Sequence, residues 1–212
     1  MKRLVICLLI FLGVTNYSVN AQEKKDFRFT IKTNPLSALG GPMFVFFVPI
    51  TGEYKVLFEA RTAKRQSIET GISYLGPSAL INLDKITSSD SSDVTGLRTT
   101  GFRAQLCYKF FLTKESAPEG FYVAPHFSYA TARLENKDKE DQYFGVTKMN
   151  MDVLLGYQLI TSGGFALNVF TGLGLKLRNY SFSEGSESIF NFKTGDDVAP
   201  AVAFGFSFGF AF

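Results

Sequence analysis

Along most of this chain large apolar residues stand at every second position, with small or polar residues between them. In 202–212 the large set is Val202, Phe204, Phe206, Phe208, Phe210 and Phe212, against Ala203, Gly205, Ser207, Gly209 and Ala211. Side chains of a strand point alternately to its two faces, so such a segment forms a strand with one greasy face. About eight period-two segments recur, at 27–34, 44–58, 67–75, 98–112, 120–133, 144–160, 165–180 and 198–212, each bounded by turn-forming residues. Most are long enough for the about 9–11 residues that a tilted strand needs to cross a bilayer. Pro42 and Pro49 interrupt the run between the first two segments, because proline cannot donate to a ladder.

The connections between these segments alternate in length. Short ones at 61–66, 113–119 and 162–164 trade places with polar stretches at 77–96, 135–143 and 181–197. A closed up-and-down antiparallel barrel of about eight strands is therefore expected, all-β, with turns at one end and long loops at the other. Charge then decides which face points inward. Arg28, Lys32, Glu53, Lys55, Glu69, Arg103, Lys109, Lys148, Asp152 and Lys176 share the face opposite the large apolar residues. On a lipid-facing side each basic one would cost about 2–4 kcal/mol near the midplane, so the ten are expected in the lumen. A soluble lipocalin-like barrel, the other closed solution, would invert the two faces.

The N-terminus explains how such a chain meets a membrane. Lys2 and Arg3 precede the apolar run Leu4 to Val14, and Val19-Asn20-Ala21 fits a small-residue cleavage site. The expectation is a cleaved signal peptide at 1–21 and a barrel domain at 22–212. The run is too short for a spanning helix, which needs about 20 apolar residues. Cys7 leaves with this leader and Cys107 is then the sole cysteine, so no internal disulfide is expected. Loss of Lys2 and Arg3 lowers the formal charge from +3 to +1, which gives no support to nucleic-acid binding. The composition holds 23 Phe, 19 Gly and no Trp. Interfacial aromatic positions therefore fall to Tyr74, Tyr108, Tyr129 and Tyr157.

With these marks the chain resembles the small bacterial outer-membrane β-barrels of the OmpA-transmembrane and OmpX-like kind. The ending Phe208-Gly209-Phe210-Ala211-Phe212 is similar to the aromatic signal read by barrel-assembly machinery, and Phe208, Phe210 and Phe212 would carry it. Ser207 stands where that signal usually has Gly. The opening Thr30-Ile-Lys-Thr-Asn-Pro-Leu36 looks like the first strand of an uncharacterised group of such barrels. The resemblance implies an outer-membrane location, contact with membrane lipid and lipopolysaccharide, and an extracellular partner that it does not identify. It implies no activity.

One constellation admits chemistry. His126 and Ser128 share a strand face, with Glu135 and Glu140 following, a set of base, nucleophile and orienting carboxylate. The spacing resembles that of the outer-membrane lipid A deacylases, although Tyr129 stands where an Asn commonly follows the serine. His126 and Ser128 fall on the same face as Ala124, Ala130 and Ala132, which directs them inward, away from acyl chains. Gly172-Leu173-Gly174 lacks the strand-to-helix context of a phosphate loop. Asp84, Asp90 and Asp93 lack the spacing of a calcium loop, so no metal or cofactor is expected. Acids outnumber bases in each polar stretch: Asp84, Asp90 and Asp93 face Lys85; Glu135, Asp138, Glu140 and Asp141 face Lys137 and Lys139; Glu184, Glu187, Asp196 and Asp197 face Lys193. The expected function is a non-enzymatic barrel with acidic loops, structural or adhesive, whose lumen charges pair and plug it. A narrow, weakly anion-preferring pore and a hydrolase using His126 and Ser128 are the alternatives.

Overall fold

The computed structural model describes residues 26–39, 44–45, 48–49, 51–79, 97–113, 117–136, 139–182 and 196–212. The leader expected at 1–21 lies outside them, as do Asp84, Lys85, Asp90, Asp93, Lys137, Asp138, Glu184, Glu187 and Lys193. Eight strands close into one antiparallel up-and-down barrel: β1 (Phe29–Thr33), β2 (Thr51–Ala63), β3 (Gln66–Pro77), β4 (Leu97–Phe111), β5 (Gly120–Asn136), β6 (Lys139–Ile160), β7 (Phe165–Phe182) and β8 (Asp196–Ala211). Each pairs with its chain neighbours, and β1 closes the ring by pairing with both β8 and β2.

Inside and outside are inverted relative to a water-soluble core. Phe204 (83 % exposed), Ile72, Val202 and Leu173 point outward, whereas Lys32, Glu59, Lys109, Gln158 and Asn168 are buried within. Outward aromatic rings gather toward both ends. Phe29 stacks between Phe58 at 5.9 Å and Phe212 at 6.0 Å, and Phe121 meets Tyr157 at 4.6 Å, toward the turn end. Toward the loop end Tyr54 stacks on Tyr74 at 6.3 Å and Phe102 tilts against Tyr129 at 6.1 Å. Between them runs an aliphatic band that includes Val153, Leu155, Val169 and Leu173.

Three boundaries differ from the sequence expectation. The segment 44–58 is divided. Among the described residues Phe44–Val45 and Val48–Pro49 pair only with each other, and the barrel strand starts at Thr51 and runs on to Ala63. Pro49 has no N–H to give a ladder, whereas the polar residues after Phe58 hydrogen-bond without difficulty. The stretch 135–143 is not a long loop, because Glu135 pairs with Tyr143 and Asn136 with Lys139 across a register shift. A hairpin that extends past its apolar band carries polar residues on both faces and reads as a loop in sequence. The connection 61–66 tightens likewise, with Ala63 already paired to Gln66.

At the turn end the chain is drawn tight. Gly164 has φ +87°, a conformation that side chains disfavour, and the carbonyl oxygen of Ala211 lies 2.7 Å from where its Cβ would stand. There too Arg61 holds Asp26, just before β1, through two parallel bonds, one from Nη2 to Oδ2 at 2.7 Å. That hydrogen-bonded guanidinium keeps the Asp26 carboxyl below the usual carboxylate range. A depressed carboxyl contributes stability above its unfolded pKa and loses it as pH falls through the folded value. In Arg61→Ala the Asp26 titration followed by NMR is expected to move back toward the ordinary carboxylate position, with little change in overall stability because Asp26 is exposed.

Candidate functional site: the charged lumen

The strand pleat brings alternate residues of all eight strands to a common interior, which in a barrel of eight strands is just wide enough for side chains to fill. Near the turn end five strands contribute to one buried cluster. Lys32 on β1 bonds Glu59 on β2 and reaches Glu69 on β3 at 2.6 Å. Lys109 on β4 meets Glu69 at 2.7 Å and Glu59 at 3.2 Å. Gln158 on β6 accepts from Lys32 at 2.8 Å and from Lys109 at 3.0 Å, and its amide donates to Glu59 at 2.9 Å. Thr30 and Ser67 donate to the same Glu59 carboxylate. Two ammoniums thus face two carboxylates, both Glu59 oxygens accept from donors, and Glu59 and Gln158 are wholly buried.

The floor of the barrel completes this seal. The Gln158 amide also donates to the carbonyl of Pro118 at 2.6 Å, in the turn between β4 and β5, and Ala117 is tied to Lys64 at 2.8 Å. Tyr122 lies over the Lys109 ammonium, 4.9 Å from ring centroid to Nζ, and its hydroxyl donates to Asn168 at 2.9 Å. Opposite it stands Gly156, where any side chain would collide with the ring.

Halfway up the barrel the pairs separate. Glu53 accepts from Arg103 at 2.8 Å and from Ser73 at 2.8 Å, with Lys55 at 3.3 Å. His126 Nδ1 meets Asp152 Oδ2 at 3.0 Å across the β5–β6 ladder. A cavity of about 380 Å³ opens here, lined by Arg103, His126, Ser128, Lys148, Asp152 and Ser207 among others.

Of the ten residues expected to share the lumen, nine are on the inward face, and the cluster gathers Lys32, Glu69 and Lys109. Arg28 is the exception. It precedes β1, its side chain is 69 % exposed, and it approaches Asp26 at 4.0 Å, so it belongs to the rim. His126 and Ser128 both line the cavity. Glu140 is not beside them. It sits on the first part of β6, next to the 139–136 pairing, whereas Asp152 pairs directly with His126 and supplies the carboxylate there. Phe208 and Phe210 lie along the turn-end half of β8, against Phe165 at 6.4 and 6.2 Å, and Phe212 follows the strand. Among the described residues no three His, Cys, Asp or Glu side chains gather as metal ligands would.

The residue that sequence reasoning missed is Glu59, the hub of the cluster. The strand was expected to end at Phe58, yet the parity of Glu53, Lys55 and Leu57 continues to it, and that continuation was the available signal. Gln158, Tyr122 and Asn168 carry no charge and were missed for that reason. A scan against protein-family models finds no match, and neither the curated proteins nor the solved structures contain one.

Proposed function

We propose that this chain is an integral outer-membrane barrel of the OmpA-transmembrane and OmpX-like kind, exported by the leader at 1–21, that acts by presenting its loops on a plugged body. The observation that carries the reading is the inversion of the barrel: aliphatic and aromatic residues outside, a sealed ionic cluster inside. In water the outward face would be an apolar patch encircling the molecule, far beyond the few hundred Å² that soluble monomers ordinarily expose. In a bilayer the same face, with aromatic rings toward each end, matches the hydrocarbon layer and its two interfaces. The partners are membrane lipid and lipopolysaccharide around the band, assembly machinery for Phe208, Phe210 and Phe212, and an extracellular partner for the acidic loops.

The plug is favoured over the narrow pore. An ion path along the axis would have to cross Lys32, Glu59, Lys109 and Gln158, all at most 1 % exposed and mutually bonded. No catalytic role is assigned to His126 and Ser128, which face the lumen rather than the acyl chains a deacylase would need to reach. Refolded protein is expected to float with liposomes, to change mobility on gels with heating, and to stay silent in planar-bilayer recordings. Steady openings would remove the plug, and failure to float would remove the membrane reading.

A further inference from the structure

The cavity halfway up the barrel holds buried polar atoms that the fold itself does not satisfy. Register builds its wall on β4, β5 and β6 in three rows. Arg103, Ala130 and Lys148 stand in the first, Gln105, Ser128 and Asn150 in the second, and Cys107, His126 and Asp152 in the third. All of them except Ala130 line the cavity. Successive rows are two residues apart along each strand, roughly 7 Å. In the first row Arg103 and Lys148 flank a single methyl group across two ladder spacings, about 9–10 Å, a gap that two long side chains close from both sides.

Two groups on this wall are oriented by one bond and keep a second atom free. Arg103 Nη1 donates to Glu53 at 2.8 Å, and Arg103 Nε is buried with no partner in the protein. Asp152 Oδ2 meets His126 at 3.0 Å, and Asp152 Oδ1 is buried with no partner. Asn150 Oδ1 is in the same state, as is Ser207 Oγ on β8, opposite β4 in the ring. Both Asn150 and Ser207 line the cavity. Among the described residues no carboxylate comes within ion-pair distance of Lys148. Lys55 and Arg103 share Glu53, and Glu69 belongs to the balanced cluster below. With His126 neutral, the lining therefore carries one positive charge in excess.

We infer that this cavity binds a sugar acid, a molecule of monosaccharide size with one carboxylate and several hydroxyls. Its carboxylate lies between Lys148 Nζ and Arg103 Nε, and its hydroxyls donate to Asn150 Oδ1 and Asp152 Oδ1 and meet Ser207 Oγ. A single carboxylate cancels the excess charge, and charge-assisted hydrogen bonds are roughly twice as strong as neutral ones. Hydroxyls suit the remaining atoms because each one donates to an amide or carboxylate oxygen and also accepts from serine. The volume, about 380 Å³, is at the small end of the roughly 300–1,000 Å³ of ligand pockets, which suits one sugar ring. The ionic cluster closes the turn end beneath, so the ligand binds without passing through and the plug stays in place. The cavity is the same whether lipid or water surrounds the barrel, so the inference stands apart from the membrane reading.

The test is isothermal titration calorimetry of the refolded mature chain in neutral detergent with glucuronate, glucose and acetate. Glucuronate is expected to bind at least about tenfold more tightly than either of the others. A Lys148→Gln variant that keeps its heat-modifiable mobility is expected to lose at least about tenfold of that affinity, and Lys148→Arg to retain most of it. Equal binding of glucose would overturn the carboxylate clamp, and equal binding of acetate would overturn the hydroxyl contacts. Unchanged affinity in Lys148→Gln would remove that ammonium from the site. Absence of glucuronate binding by the folded chain would overturn the site as a whole, its free polar atoms then being met by water.

Discussion

Replacing Glu59 by Ala is expected to destabilise the folded barrel by about 3–5 kcal/mol, the cost of leaving buried charge uncompensated. Glu59 accepts from Lys32, Lys109, Gln158, Thr30 and Ser67, so its removal strands two ammoniums against the single carboxylate of Glu69. Those ammoniums have no water to turn to, since Lys32 and Lys109 are each 1 % exposed. The measurement is the urea midpoint of refolded protein in lipid vesicles, wild type against variant, at equal slope. Glu59→Gln keeps an acceptor for the same donors but removes the charge, and should fall between the two. A balanced change, Lys109→Met with Glu69→Leu, takes out one cation and one anion together. It is expected to stay within about 1 kcal/mol of wild type or above it, because a buried ion pair recovers little more than its own desolvation cost. A Glu59→Ala cost below about 1 kcal/mol would mean that water reaches the cluster, and the plug would fail with it.

The same cluster shows how far the sequence could be read. Period two placed the strands and separated the faces, because a pleated strand with one face turned into the lumen has no freedom to mix them. It was therefore enough to bring Lys32, Glu69 and Lys109 to one lumen. It was not enough to find which charges meet, since that depends on stagger between strands, a property of the closed barrel that no single strand carries. Glu59 was lost at a boundary, beyond an apolar run that ended at Phe58, and boundaries are where local pattern gives out. The hairpin at 135–143 was lost for the converse reason. Above the apolar band both faces are polar, and Glu135 pairing with Tyr143 leaves no alternation to detect. The carboxylate at His126 was sought downstream in sequence, at Glu140, whereas the ladder supplies Asp152 from the neighbouring strand. The shortness of β1 left no trace in the pattern at all. Five residues of β1 against sixteen of β8 is a fact of pairing, visible only once register is known.

Leu173→Arg separates the membrane reading from every soluble one. Leu173 is 69 % exposed, lies on the outward face of β7, and pairs with Val153 on one side and Val202 on the other, in the middle of the aliphatic band. A barrel in water would tolerate Arg there, since substitution of an exposed side chain usually changes stability by no more than about 0.5 kcal/mol. In a bilayer the guanidinium would sit near the midplane, and the expected loss is about 2–4 kcal/mol. The same substitution moved to Thr62, on the outward side of β2 at its turn end, should cost about 0–1 kcal/mol, because there the side chain reaches the interface. The ratio of the two costs, measured by urea unfolding from vesicles, reads depth directly. A large penalty at Leu173 with a small one at Thr62 is the signature of a hydrocarbon layer around the band. Equal small costs would mean that water surrounds it, and the outward Phe, Leu and Val would then need a protein partner to cover them.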